Sequence, residues 1–325
     1  MTSVSSVSSG RRPSAAPEIP GSSPESTPDS IAVRRKRFAV VGDLQPTSGL
    51  EVWRESNHAE RRTIIRAIAR EQPDFLALLG DLVFCGSSAA AWADFDRLCA
   101  PLKSEKIHAI PVLGNHEYWV KRRAALANFF ARFPDLRGRH WHSASYGSLG
   151  LIFLDSNYHW MSGALWQAQQ IWYREALGRF DAAPSTRGVL VFLHHPPFTN
   201  SRVTSDTMHV QRDLLGPFQE SEKSLAMISG HVHSYERFER SGKVFLVTGG
   251  GGGPRVSLAE GSRRRHSDDA FAGPALRAFH YMNVALRETG LDVEVLGLEK
   301  GGETFSPMDR FALDWPTSGR ATEAP

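Results

Sequence analysis

The stretch Gly230-His231-Val232-His233-Ser234-Tyr235-Glu236-Arg237 follows a short apolar run at residues 225–229. That run predicts a buried strand, so the two histidines lie on the loop that leaves it. Gly230 lets the backbone approach another group closely, and both imidazoles can point toward one centre. Imidazole is the commonest metal ligand among side chains near neutral pH. For this pair alone, two loop histidines with local hydrogen bonds are the favoured interpretation, and the rest of the chain reverses that preference.

Four other apolar runs end in the same way, each at polar side chains able to bind a metal. These ends are Gly42-Asp43-Leu44-Gln45 after residues 38–41, Gly80-Asp81 after residues 74–79, Gly114-Asn115-His116-Glu117 after residues 107–113, and His194-His195-Pro196 after residues 189–193. Helical patterns at 59–70, 89–100 and 163–178 alternate with the strands, which predicts a core sheet covered by helices. Because ligand sites gather where the carboxyl ends of strands meet, we expect the five loops to share one crevice.

The later segments predict a second sheet. Residues 243–248, 278–287 and 291–298 are short and partly alternating, which is typical of antiparallel strands. Residues 199–217 are polar and irregular, so they predict a loop at the rim of the site. The glycines at 249–253 predict a passage from strand to loop that needs a small backbone. The basic residues at 263–265 and His266 predict a solvated loop, and Asp155 is interpreted as an ordinary residue at a strand end.

The composition is that of an ordinary globular protein, with 41% hydrophobic and 22% charged residues among 325. Residues 1–33 are rich in Ser and Pro and predict a disordered tail, residues 34–315 predict one domain, and residues 316–325 predict a flexible C-terminal tail. A net charge of +3 argues against nucleic acid or a membrane as the main partner. No secretory signal pattern is present, which predicts a cytoplasmic protein. Two cysteines are too few for a disulfide scaffold.

The mixed oxygen and nitrogen donors of the five loops suit manganese, iron or zinc. They outnumber the ligands that one tetrahedral ion uses, so the sequence predicts two ions. In two-metal hydrolases the ions lie roughly 3.5–4 Å apart and together stabilise the attacking and leaving oxygens. A carboxylate is the natural bridge between such ions, and Asp81 is the candidate.

The motifs resemble the calcineurin-like metallophosphoesterase superfamily, and they occur in the order that this family uses. They are Gly42-Asp43, Gly80-Asp81, Gly114-Asn115-His116-Glu117, His194-x-Pro196 and Gly230-His231-x-His233. Within the superfamily, residues 230–237 are similar to the corresponding stretch of purple acid phosphatases. The resemblance spans about residues 37–300. It implies an α/β fold, a four-layer α-β-β-α sandwich with two mixed sheets flanked by helices.

The resemblance also implies roles for individual residues. One ion would be held by Asp43, Asp81 and His233, and the other by Asp81, Asn115, His194 and His231, with a hydroxide between or on the ions that attacks phosphorus in line. His116 would bind the phosphoryl oxygens or protonate the leaving group. Of the histidine pair, His194 is preferred as the ligand because the family's ligand lies two residues before proline. His195 either contacts substrate or packs, and both interpretations stay open.

Two positions depart from the family pattern. Most of the superfamily has histidine where this chain has Gln45, and purple acid phosphatases have an iron-binding tyrosine where this chain has Phe84. Gln45 either ligates the first ion through its amide oxygen or hydrogen-bonds the bound water, whereas Phe84 weakens the case for ferric iron.

The resulting hypothesis is a phosphoric ester hydrolase that acts on a small-molecule phosphate ester, with monoesters favoured. Its cofactors would be two divalent or trivalent ions of manganese, iron or zinc. The alternatives are a phosphodiesterase that uses the same site, and a non-catalytic binding protein with a degraded first metal site.

Overall fold

The structure is a computed structural model that describes residues 29–48, 53–136 and 138–316. Most of the two predicted tails lies outside the described residues, so the prediction of disorder is not addressed there. Residues 29–31 are an exception, because they form a short strand that precedes the predicted domain start at residue 34. Strands and helices are numbered below along the chain.

Seven strands form the first sheet. In spatial order they are β1 (Asp29–Ile31), β5 (His142–Tyr146), β6 (Leu149–Phe153), β7 (Gly188–Leu193), β8 (Ser224–Ser229), β10 (Lys243–Thr248) and β9 (Tyr235–Arg240). The central strands β6, β7, β8 and β10 run parallel, whereas β5 and β9 are antiparallel to their neighbours β6 and β10. The parallel centre is buried on both faces, as its continuous apolar runs require.

Six strands form the second sheet. Their spatial order is β13 (Ser306–Asp314), β12 (Gly290–Leu298), β11 (Phe279–Leu286), β2 (Arg37–Val41), β3 (Phe75–Leu78) and β4 (His108–Pro111). β2, β3 and β4 are parallel, and the remaining pairs are antiparallel. The predicted grouping of residues 243–248 with 278–287 and 291–298 is therefore wrong. β10 lies beside β8 in the first sheet, whereas β11 and β12 extend the sheet that contains β2.

Helices cover the outer face of each sheet. Beside β2 and β3, buried side chains come from α1 (His58–Glu71), α2 (Ala89–Leu98), α3 (Ala100–Ser104) and α4 (Arg122–Arg132). Beside β6, β7 and β8, they come from α5 (Gly163–Ala182), α6 (Met208–Asp213) and α7 (Leu215–Glu220). A third apolar cluster fills the space between the sheets. This arrangement confirms the predicted four-layer sandwich with two mixed sheets. None of the helices in the described segments is both long and apolar enough to cross a membrane.

The predicted rim loop at 199–217 is only partly a loop. It contains α6 and the start of α7, which are one to two turns long and therefore give no clear helical period in the sequence. The start of this segment is packed against the domain, because Thr199, Asn200 and Ser201 are buried. The parallel strands of both sheets end at this side of the molecule, and all five predicted ligand loops leave from there.

Candidate metal centre

Three of the predicted ligands have a left-handed backbone, which is rare outside glycine. The φ angles are 60° at Asp43, 51° at Asp81 and 67° at His231. Each such residue stores about 1–3 kcal/mol of strain, and this strain persists only where the surroundings fix it. Here the loops fix one another, because Asp43 N donates to Gly80 O (3.1 Å) and Gln45 N donates to Asp81 O (2.9 Å). Backbone strain of this kind clusters at functional sites.

The loop after β8 contacts the loop after β2 directly. The His231 N–H donates to both carboxylate oxygens of Asp43, at 3.1 and 2.9 Å. A Cβ atom at Gly230 would lie 2.5 Å from Asp43 Oδ2, so only glycine fits at this position. The close backbone approach that the sequence predicted at Gly230 is present.

Donor atoms of one cluster gather around His194. Its Nε2 lies 3.1 Å from Asn115 Oδ1, 3.1 Å from His231 Nδ1 and 3.3 Å from Asp81 Oδ2. Its Nδ1 donates to the carbonyl of Leu79 at 2.7 Å. A carbonyl can only accept, so the neutral ring keeps its proton on Nδ1 and directs the Nε2 lone pair into the cluster. A hydrogen bond to the second ring nitrogen is typical of a metal-binding histidine.

A second cluster gathers around His233. Its Nδ1 donates to Pro254 O (2.9 Å), and its Nε2 lies 3.5 Å from Asp43 Oδ1. The amide of Gln45 satisfies its neighbours best with Nε2 donating to the carbonyls of Asp81 (2.7 Å) and Asp43 (3.2 Å). Gln45 Oε1 then accepts a hydrogen bond from His233 Nε2 at 3.1 Å. Release of that hydrogen would leave a lone pair on each atom facing the same point, which is the arrangement that a bound cation requires.

The charges of the two clusters also fit cations. Among the described residues, no Lys or Arg forms an ion pair with Asp43 or Asp81, and the ionic partners of both carboxylates are histidines. Burial opposes the protonation of His194, but the charges of Asp81 and Asp43 and the hydrogen bonds to Asp81 and Leu79 together raise the pKa of His194 to about 9. Burial and the charge of His194 lower the pKa of His231 to about 3. A proton on His194 thus stands where a metal ion would bind, and metal binding releases such protons.

Comparison with known proteins decides the family. Residues 36–235, more than half of the chain, match the calcineurin-like phosphoesterases. The chain belongs to this family. The family assignment made from the five motifs is confirmed. Calcineurin-like phosphoesterases use a divalent metal centre, and groups of this chain's residues that can hold a metal include Asp43 with Asp81 and His194.

The curated relatives are distant. Purple acid phosphatase 22 of Arabidopsis thaliana is 26% identical over 234 residues, which cover 66% of this chain and 50% of that protein. A probable cyclic nucleotide phosphodiesterase of Rhodopseudomonas palustris is 29% identical over 184 residues, which cover 52% of this chain and 61% of that protein. The chain therefore spans about half of one relative and three fifths of the other.

Solved structures share the fold of this calcineurin-like phosphoesterase chain. A purple acid phosphatase from yellow lupin seeds has a TM-score of 0.65 at 17% identity, covering 86% of this chain and 53% of that one. A dimetal phosphatase from Danio rerio has a TM-score of 0.55 at 16% identity, covering 86% of this chain and 98% of that one. At identities of 16–17%, this likeness shows a shared four-layer fold and nothing further.

His116 lies beside Asp81. Its N–H donates to Asp81 Oδ1 (2.9 Å), and its Nε2 lies 3.7 Å from Asp81 Oδ2. Its Nδ1 donates to the carbonyl of Phe84 (2.6 Å), and its ring stacks on Trp119 with centroids 3.7 Å apart. Phe84 thus orients the His116 ring through its main-chain carbonyl. Nε2 is left to face the centre.

His195 is half-buried between two predicted ligands. Its ring centroid lies 4.8 Å from that of His194 and 4.4 Å from that of His231. Burial and the neighbouring charge of His231 hold the pKa of His195 well below its usual range. The position fits either interpretation left open by the sequence.

Glu117 is fully buried, and its role is visible only in the structure. Its Oε2 accepts from the N–H groups of Asp81 and Gly114, and its Oε1 accepts from Leu82 N, each at 2.8 Å. Burial and the charge of Asp81 raise the pKa of Glu117 to about 8. One carboxylate therefore ties the Asp81 loop to the Asn115 loop. The acidic end of the Gly-Asn-His-Glu motif was the available signal.

The interpretation of Asp155 as an ordinary strand-end residue is wrong. Asp155 is fully buried and accepts hydrogen bonds from Tyr118, from His140 Nδ1 (2.9 Å) and from the side chain of Asn157 (2.8 Å), so it anchors the segment after His116. The basic segment at 263–266 is a loop with Arg263 and Arg265 exposed, as predicted, but it is also bound to the neighbouring loop. Arg265 donates to the carbonyls of Thr199, Ser201 and Thr204 at 2.8–2.9 Å, and His266 pairs with Asp206. Arg265 and His266 therefore tie this segment to the loop that precedes α6.

Proposed function

We propose that this chain hydrolyses phosphate esters with a pair of metal ions, and that phosphate monoesters are its preferred substrates. The position of Asp81 is the observation that supports a pair of metal ions. Its Oδ2 lies 3.3 Å from His194 Nε2 in one cluster and 3.4 Å from the Gln45 amide in the other. One carboxylate oxygen therefore reaches both groups of donors, as a bridging ligand must.

The residues divide into two ligand sets that share Asp81. Asp43, Gln45 and His233 would complete the first, and Asn115, His194 and His231 would complete the second. When bound, two ions act as Lewis acids that stabilise the attacking and leaving oxygens of an in-line displacement. The amide oxygen of Gln45 takes the place of the family's histidine, and its lone pair faces the same point as that of His233.

His116 is the proposed partner of the phosphoryl group. With Nδ1 held by the Phe84 carbonyl, a protonated His116 has its second N–H free on Nε2. That N–H can hydrogen-bond a phosphoryl oxygen or deliver its proton to the leaving oxygen. A monoester dianion carries more negative charge than a diester and gains more from this donor. The purple acid phosphatase relative agrees with a monoester preference.

A phosphodiesterase on the same residues is the second candidate. The relative from Rhodopseudomonas palustris, a probable cyclic nucleotide phosphodiesterase, favours it. The two reactions share their ligands, so substrate selection depends on the rim of the site. Specificity constants for matched aryl phosphate mono- and diesters decide between them, and a larger value for the diester would overturn the monoester preference.

The first test is the metal content per chain by elemental analysis, after loading with manganese, zinc or iron. We expect two ions, and one or none under every loading would favour the non-catalytic alternative. Asp81→Asn should lower kcat by about a thousandfold or more, because a neutral amide bridges two cations poorly. Asp135→Asn, at a carboxylate that is 80% exposed, is the matched control and should leave kcat unchanged. Normal turnover by Asp81→Asn would refute the bridge.

A further inference from the structure

Ser156 and His195 are brought together by strand register. β6 and β7 are parallel, and Phe153 lies opposite Phe192. Ser156 and His195 each lie three residues beyond this pair, so their loops leave the sheet side by side. Ser156 is 2% exposed and forms hydrogen bonds of 2.9 Å with His195 N and 2.8 Å with His195 Nδ1.

The proton positions of this pair follow from its donors and acceptors. The His195 backbone N–H occupies one lone pair of Ser156 Oγ. The hydroxyl hydrogen then needs an acceptor, and within the described segments Nδ1 of His195 is the only one that Oγ contacts. The hydroxyl therefore donates to Nδ1, which places the hydrogen of the neutral ring on Nε2. An imidazolium also carries a hydrogen on Nε2, so this result does not depend on the charge of the ring.

We propose that Ser156 is a positioning residue that keeps a hydrogen on Nε2 of His195, so that this ring donates to substrate instead of binding a metal ion. A ring nitrogen of His195 lies within 4.8 Å of ligand atoms on both His194 and His231. Three imidazoles so close together would ordinarily suggest a three-histidine metal site. An N–H cannot ligate, so the group that His195 contacts must be an acceptor.

The acceptor is a phosphoryl oxygen of the bound ester, a step that rests on the proposed function. His195 would lie on the side of the second ligand set, whereas His116 lies beside Asp81. Two imidazole N–H groups would then contact one anionic substrate. Of the two interpretations of His195 left open by the sequence, this inference selects substrate contact over packing.

The tautomer can be measured without turnover, by ¹⁵N NMR of the histidine rings in the full chain with and without zinc. The His195 signals are assigned by their loss in His195→Gln. We expect the Nε2–H form in the wild type, a mixture of tautomers in Ser156→Ala, and recovery of the single form in Ser156→Thr. An Nδ1–H form in the wild type, or an unchanged ring in Ser156→Ala, would overturn the inference.

Metal content and kinetics give a second test. His195→Leu should retain both ions, whereas the matched variant His194→Leu should lose one, and loss of an ion from His195→Leu would overturn the inference. For an aryl phosphate, His195→Leu should lower kcat by about ten- to a hundredfold, and Ser156→Ala should lower it less because some of its rings keep the Nε2–H form. The double variant should fall no further than His195→Leu. Additive losses would mean that Ser156 does not act through His195. An Nε2–H ring in a chain without turnover would support the assigned tautomer and contradict the proposed function.

Discussion

Gly253→Ala should weaken the binding of the first metal ion while leaving the second site unchanged. A Cβ atom at this position would lie 2.4 Å from Cε1, 2.5 Å from Nδ1 and 2.6 Å from Nε2 of the His233 ring. Ordinary contacts begin near 3.4 Å, so the imidazole must move by roughly 1 Å. The loop cannot easily retreat instead, because Gly253 N donates to Asp43 O at 2.7 Å. Movement of the ring breaks its hydrogen bond to Pro254 O.

The size of the effect follows from these contacts. Loss of a hydrogen-bonding partner behind a metal-binding histidine weakens metal affinity by about ten- to a hundredfold. Overpacking should destabilise the fold by about 1–3 kcal/mol, which lowers Tm by about 2–12 °C for a domain of this size. We expect calorimetric titration with zinc to show one tight site and one weakened site in Gly253→Ala.

A matched glycine provides the control for this variant. Gly178 lies within α5, and a Cβ atom there would meet nothing within 4 Å. Gly178→Ala should retain both sites and gain about 0.5–1 kcal/mol of stability, since alanine is the better helix former. Two sites of unchanged affinity in Gly253→Ala would refute the assignment of His233 as a ligand.

Two further substitutions test other parts of the structure. Gln45→His should tighten binding of the first ion because it replaces an amide oxygen with imidazole, and an unchanged chelator titration would exclude Gln45 from the ligand set. Burial raises the pKa of Glu236 to about 7. Because the folded state then holds this proton more tightly than the unfolded state, its stability should fall as pH rises from about 4.5 to about 7, by about 3 kcal/mol relative to Glu236→Gln. Parallel Tm profiles of the two proteins over this range would contradict the raised pKa.

The site residues that the sequence could predict are those that lie just after the end of a strand. Residues such as Asp43 and His231 directly follow buried apolar runs, and parallel strands bring such ends to one edge of a sheet. The four-layer fold was implied by the motif order as a resemblance. The assignment of strands to sheets failed because it depends on long-range pairing, and residues 243–248 carry no local mark that places them beside β8.

Contacts between loops that are far apart in the sequence could not be predicted either. The hydrogen bonds of Arg265 could not be predicted because its partners are main-chain carbonyls some sixty residues away, which no spacing rule identifies. Strand β9 was missed because its residues belong to the histidine motif and were interpreted as a site loop. Ser156 was overlooked for a different reason. Its contact with His195 follows from the β6–β7 register, which becomes usable only once Phe153 is known to face Phe192.

The proposed ligands come from loops of both sheets, and this explains why strained residues persist in a rigid site. Asp43, Gln45, Asp81 and Asn115 follow strands of the sheet that contains β2, whereas His194, His231 and His233 follow strands of the other sheet. Each proposed ligand set therefore takes donors from both sheets. The apolar cluster between the sheets fixes their separation, and hydrogen bonds between the loops, such as that from His231 N to Asp43, set the final positions. Three left-handed residues persist because both sheets constrain them, and the same constraint holds the lone pairs of two clusters together before any cation arrives.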